Sequence, residues 1–198
     1  YWLLMMLPAT GSAPLVAAAL GTVLGVLLTG AFHEDGLADV ADGLGGSADR
    51  ERALVITKDS RVGAFGAIAV VLALLCKVAL LALLGDVSAP LMVVALLAAH
   101  VVSRTWPLLT IRLLVHVGDL AGSKSKPLAD QISGAGLLTG FLWCFCTLAL
   151  MLYAQIATDF IAIEMPSEQL LLAFAWALLA SVAAWVWSTR WFWHRLGG

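Results

Sequence analysis

The first 32 residues contain no charged side chain, and four further apolar runs follow. That feature constrains the chain more than any other. The stretch from about 14 to 32 is long enough to cross a bilayer, which needs roughly 20 residues. Pro8 and the Gly11-Ser12 pair break the run before it, so residues 1–8 read as the end of an earlier segment. Further runs cover about 64–84, interrupted only by Lys77, and about 87–111, interrupted by His100 and Arg104. The last two, 132–158 and 169–189, are uncharged throughout. None shows the short alternating segments of barrel strands, so each reads as a membrane helix. The expected fold is an all-α, polytopic transmembrane helix bundle with about five membrane helices and helical cytoplasmic loops. Residues 1–198 form one integral membrane domain in this reading.

Composition excludes the alternatives. The chain is 62% hydrophobic and 12% charged, against about 45–50% and about 25% in soluble domains. A soluble enzyme, a disordered chain, a coiled coil and a disulfide scaffold are all ruled out. The net charge of −2 comes without a basic tail or stripe, so nucleic acid is not an expected partner, whereas the lipid bilayer is. Cys76, Cys144 and Cys146 sit in apolar runs without a C-x-x-C pair and read as small apolar fillers. A homo-oligomer is compatible with such a bundle.

The connections set the orientation. Segment 33–63 holds Arg50, Arg52, Lys58 and Arg61; segment 112–131 holds Arg112, Lys124 and Lys126; the C-terminal end holds Arg190 and Arg195. The intervening loops, 85–90 and 157–168, carry Asp86, Asp159, Glu164 and Glu168 but no Lys or Arg. Cytoplasmic loops are rich in Lys and Arg, so the first three segments are placed in the cytoplasm and the acidic loops outside.

Seven of the thirteen acidic residues fall between Glu34 and Asp59, which marks 33–63 as an acidic cytoplasmic active-site loop. Asp35, Asp39 and Asp42 are spaced four and three apart, so a helix places them on one face. Like charges at that spacing repel, and a hard divalent cation such as Mg²⁺ would compensate them. Gly43, Gly45 and Gly46 are expected to end this helix with left-handed residues. Ser47 then suits an N-cap, with Asp49 and Glu51 in the first turn of a short helix to about Lys58. The following run, Lys58-Asp59-Ser60-Arg61-Val62-Gly63-Ala64-Phe65-Gly66, leads into the second membrane helix. Two cations, a hydroxyl and two glycines at a helix N-terminus suit a phosphate, with Arg61 as a bidentate clamp. An acidic metal face followed by an anion site points to metal-assisted phosphate chemistry at the membrane surface.

The runs F-H-E-D-G-L-A-D-V-A-D-G-L-G-G (32–46) and K-D-S-R-V-G-A-F-G (58–66) resemble the cobalamin synthase family. These are integral-membrane adenosylcobinamide-GDP ribazoletransferases of the last steps of cobalamin assembly. Their H-x-D-G-L-A-D-x-x-D-G pattern is matched by His33, Asp35, Gly36, Asp39 and Asp42. Ser103-Arg104 and the segment 118–133 resemble the family more loosely. The resemblance implies transfer of the cobinamide phosphate group from adenosylcobinamide-GDP to α-ribazole or α-ribazole 5′-phosphate, with release of GMP. It implies Mg²⁺ on Asp35, Asp39 and Asp42, and a proton acceptor among these, Asp59 and His33. Lys58, Ser60, Arg61 and Arg104 would bind phosphate. The implied location is the bacterial inner membrane. Family members carry sequence ahead of residue 1 and beyond Leu196-Gly197-Gly198, so the chain is read as a piece of a longer protein. Position 34 is Glu where the family often has an apolar residue.

Charges within membrane helices are costly and usually face the bundle interior or a cavity. His100 and Arg104 share one helix face, and Arg104 is expected to reach the 33–63 segment. Lys77 either faces the bundle or snorkels outward. Trp185, Trp187, Trp191 and Trp193 fit an interfacial belt. The segment 112–131, with Asp119, Gly122, Ser123, Lys124, Ser125, Lys126 and Asp130, either covers a ligand or is a solvated loop. Two other functions compete. A CDP-alcohol phosphotransferase of lipid metabolism also places spaced aspartates at a membrane surface, but after Asp35-Gly36 no Arg follows at the required distance. A divalent-cation transporter would use the acidic cluster as its ion site, yet no acidic residue lies mid-helix.

Overall fold

The computed structural model describes residues 13–114, 132–158 and 167–197. The expectations for residues 1–8, for Asp119 to Asp130 and for Asp159 and Glu164 lie outside them. Among the described residues there are seven helices and no strand. They are α1 (Ala13–Thr29), α2 (Phe32–Gly46), α3 (Arg50–Thr57), α4 (Ala64–Val87), α5 (Ala89–Leu113), α6 (Gly134–Thr158) and α7 (Ser167–Leu196). Four of them, α4 to α7, are long and apolar enough to cross a membrane; α1 and α2 meet that test only as a pair, bent by 87°. The multi-pass membrane bundle is therefore as expected. Large apolar side chains stand exposed along these helices, among them Leu72 and Leu75 on α4, Trp143 and Phe145 on α6 and Leu172 and Trp176 on α7. Water does not tolerate apolar faces of that extent, whereas lipid does.

The first membrane segment does not run unbroken to residue 32. After Thr29, the Gly30 N–H donates to the Leu27 carbonyl (3.2 Å) and the Ala31 N–H to the Val26 carbonyl (2.9 Å). This pair of bonds is a Schellman motif, with Gly30 as its left-handed residue at φ 62°. Ala31 is left-handed as well, at φ 58°, and it is the N-cap of α2. Two successive left-handed residues turn the chain sharply, so α2 leaves in a new direction, a helix as the spacing of its aspartates predicts.

The chain divides into two compact units, Tyr1–Val93 and Val94–Gly198. In the first, α1 and α2 both pack on α4, and α3 packs on α2. Small residues make this approach close: Ala17, Ala18, Gly21 and Thr22 are the buried face of α1. In the second, Trp106 of α5 stacks on Trp185 of α7 with ring centroids 5.5 Å apart. The Trp106 indole N–H donates to Ser181 Oγ (3.2 Å), and that of Trp185 to Thr110 Oγ1 (2.9 Å). Trp185 is half-buried in this contact, and its polar handle finds a protein partner. Trp187 and Trp193 remain exposed.

Candidate functional site

The acidic helix begins at the bend after Thr29. Glu34 and Asp35 occupy its first turn, where the helix dipole favours negative charge. Asp35 is exposed, Asp39 is half-buried and Asp42 is buried at 7% exposure. Asp35 and Asp42 both act electrostatically on Asp39, so the three carboxylates are near neighbours on α2, as their spacing requires. Among the described residues no three His, Cys, Asp or Glu side chains form a ready metal-holding group.

Asp42 has a task of its own. Its Oδ2 accepts from the Gly63 N–H at 2.7 Å and its Oδ1 from the Gly66 N–H at 2.8 Å. Gly63 is the N-cap of α4, and α4 has no side-chain cap of its own. A carboxylate from another helix therefore satisfies two of the donors that a helix start leaves orphaned, and its charge meets the positive end of the dipole. The two glycines are required by this contact. A Cβ on Gly63 would lie 2.5 Å from Asp42 Oδ1. One on Gly66 would meet Asp42 Oδ2 and would lie 2.8 Å from the Ala38 carbonyl oxygen. The amide donors that the sequence offers to a phosphate are thus engaged by the protein's own carboxylate.

The other glycines of the motif serve contact as well. Gly43, Gly45 and Gly46 lie inside α2, and the helix ends at an extended Ser47 with no left-handed residue. The expected left-handed termination is corrected: the glycines thin α2 so that its neighbours can approach. A Cβ on Gly43 would meet the Thr57 hydroxyl and would lie 2.9 Å from the Ala53 carbonyl oxygen of α3; one on Gly45 would lie 2.7 Å from the Phe65 ring of α4. The N-cap of α3 is Asp49, whose Oδ1 accepts from the Arg52 N–H at 2.9 Å. Ser47, expected in that role, instead accepts from the Asp49 N–H at 3.1 Å.

Between α3 and α4, Asp59 and Arg61 grip one another. Arg61 donates Nη2 to Asp59 Oδ2 at 2.6 Å, Nε to both carboxylate oxygens at 3.0 and 3.1 Å, and its backbone N–H to Oδ1 at 3.1 Å. The side-chain hydrogen bonds from Arg61 lead in lowering the Asp59 pKa to about 2, with the backbone bond next. A carboxylate that weakly basic is a poor proton acceptor near neutral pH. The contact occupies the Nε and Nη2 edge of the guanidinium, which leaves its Nη1 edge for an anion. Lys58, which ends α3, and Ser60 are both exposed beside it.

His33 is exposed, its ring edge-on to that of Phe32 at 5.4 Å. It borders a cleft of about 170 Å³ lined by His33, Glu34 and Leu37 from α2 and by Val70, Leu74 and Lys77 from α4. Arg104 belongs to the second unit. Its Nη1 donates to His100 Nδ1 (3.0 Å), the His100 carbonyl (3.2 Å) and Ser103 Oγ (3.3 Å). Arginine only donates, so His100 Nδ1 accepts and the ring proton sits on Nε2.

The comparisons with known proteins bear directly on these motifs. Residues 1–198 match the family of cobalamin-5-phosphate synthase (CobS). The chain belongs to this family. It is 75% identical over 196 residues to the adenosylcobinamide-GDP ribazoletransferase of Albidiferax ferrireducens, covering 99% of this chain and 70% of that one. It is 62% identical over 167 residues to the protein of the same name from Polaromonas naphthalenivorans, covering 78% of this chain and 59% of that one. A Polaromonas sp. relative of that name is 58% identical over 184 residues, covering 86% and 64%. The chain therefore spans about three-fifths to seven-tenths of the length of these relatives. No solved structure matches it.

Both motifs that carry the family resemblance come together in the first unit, joined through Asp42, Gly63 and Gly66. Sequence reasoning found all three residues but not their bond. The available signal was the absence of any Ser, Thr, Asp or Asn at the N-cap of α4, a helix start that needs an acceptor from elsewhere.

Proposed function

We propose that the chain carries the transferase chemistry of its family: transfer of the cobinamide phosphate group from adenosylcobinamide-GDP to α-ribazole or its 5′-phosphate, releasing GMP. The observation that carries this reading is the match to the family over residues 1–198, joined by relatives that bear that activity in their names. In the reaction the ribazole 3′-hydroxyl oxygen forms a bond to the phosphorus on the cobinamide arm. The bond from that phosphorus to the bridging oxygen of the diphosphate breaks, and GMP leaves with that oxygen. The hydroxyl proton passes to a base on the protein.

The residues fit a divalent cation. Asp35 and Asp39 are accessible hard oxygen donors on one helix face, and Mg²⁺ uses one or two carboxylates together with substrate phosphates. Asp35 and Asp39 would hold it, and it would supply positive charge to the diphosphate. Asp42, engaged with the Gly63 and Gly66 amides, orients the helix that presents them. Arg61, Lys58 and Ser60 would bind the phosphates of the nucleotide. Asp59, held ionised by Arg61, orients that guanidinium. His33 is then the candidate base, at the head of the same helix. The balance of Lys and Arg supports an orientation in the bacterial inner membrane with α2 and α3 toward the cytoplasm.

The test supplies adenosylcobinamide-GDP, α-ribazole and Mg²⁺ to proteoliposomes holding the full-length protein. Cobalamin and GMP are expected in equal amounts. Release of neither would overturn the reading.

A further inference from the structure

We infer that Glu34 is the counter-ion of Lys77, and that the two face one another across the cleft between α2 and α4. Lys77 is the sole charged residue between Arg61 and Asp86. It lies about 20 Å along α4 from its start and about 15 Å from its end, and it is half-buried. A charge at that depth needs an opposite charge or a polar cavity. The cleft provides both: it is lined by Lys77 on one wall and by Glu34 on the other. Independently, Glu34 Oε2 is buried and has no hydrogen-bond partner among the described residues. A buried carboxylate oxygen in that condition is costly unless a donor reaches it.

Among the described residues that line the cleft, Lys77 is the one side chain with a fixed positive charge. α1 carries no charged residue. Of the remaining titratable groups among the described residues, His33 lines the cleft, and a histidine cannot neutralise an ammonium. At about 170 Å³ the cleft is wide enough for water to bridge the two charges. The couple fixes the first turn of α2, and with it Asp35, against a membrane span. Glu34 and Lys77 are therefore positioning residues that touch no reacting atom.

The experiment uses the full-length protein in proteoliposomes and compares K77R, K77M, E34Q and E34Q/K77M by thermal midpoint and by turnover. Neutral variants insert more readily than charged ones, so failure to insert is not expected. K77R keeps the charge and should stay within about twofold of the parent. K77M strands the Glu34 carboxylate and should lose about tenfold in turnover together with a lowered midpoint. E34Q/K77M removes both charges and should return to within about threefold on both readouts. A double variant worse than K77M, or K77M equal to K77R, would overturn the pairing. The midpoint reads the pairing whatever reaction the protein performs, so its failure is distinct from failure of the proposed function.

Discussion

Gly66→Ala tests the contact on which the site is built. The added Cβ would meet the Asp42 carboxylate and would lie 2.8 Å from the Ala38 carbonyl oxygen, where ordinary contact begins at 3.4 Å. A backbone oxygen cannot rotate away, so α2 and α4 must part by at least about 0.6 Å. The bonds from the Gly63 and Gly66 amides, now 2.7 and 2.8 Å, lengthen toward the limit of useful geometry. Hydrogen bonds to a charged acceptor contribute about 1.5–3 kcal/mol each. Loss of most of one and weakening of the other costs about 3 kcal/mol. Replacing a helical glycine by alanine returns about 0.5–1 kcal/mol. The net expectation is a loss of about 2–3 kcal/mol.

Gly25→Ala is the matched control, since a Cβ there meets nothing within 4 Å. It should be neutral or slightly stabilising. The assay is the unfolding midpoint of the full-length protein in one detergent, followed by tryptophan fluorescence, with all variants side by side. Asp42→Asn should fall with Gly66→Ala, because an amide offers one acceptor oxygen where two N–H groups point. The double variant should be little worse than either alone, since both changes break the same contact. A Gly66→Ala midpoint at or above that of Gly25→Ala would refute the reasoning.

The remaining predictions concern the same unit. Asp39→Asn should reduce turnover by at least about a hundredfold with the midpoint unchanged or raised, because it relieves repulsion from Asp35 and Asp42 without removing a packing contact; a hundredfold is what about 2.7 kcal/mol of transition-state stabilisation is worth. Asp59, lowered to about 2, should stay ionised through the whole working range. The stability it contributes is present above its ordinary value of 3.8 and is lost only as pH falls toward 2. A carboxyl-carbon NMR titration should place its midpoint there, and Arg61→Ala should return it to the ordinary range. Ala31→Gly should raise the unfolding stability by about 0.5–1 kcal/mol, read as a higher midpoint, because it removes the cost of a left-handed alanine at φ 58°.

The sequence by itself determined the solvent of each segment. Long apolar runs can bury their backbone polar groups in lipid only as helices, so α4 to α7 were legible from hydropathy. The spacing of Asp35, Asp39 and Asp42 placed them on one helix face, and the two motifs pointed to the family. These are properties of a residue and its near neighbours along the chain. Contacts between distant segments were not legible. Nothing local tells that Gly43 and Gly45 serve the approach of Thr57 and Phe65 and not the end of a helix, or that Trp185 meets Trp106. Nor does it tell that Asp42 closes on amides 21 and 24 residues away. The 87° break at Gly30 and Ala31 lay within reach, since a glycine after an apolar run signals a helix end; hydropathy, continuous across it, concealed it. Only the tertiary structure decided these points, because a hydrogen bond between helices depends on which faces meet, and the periodicity of one helix does not specify the face of another.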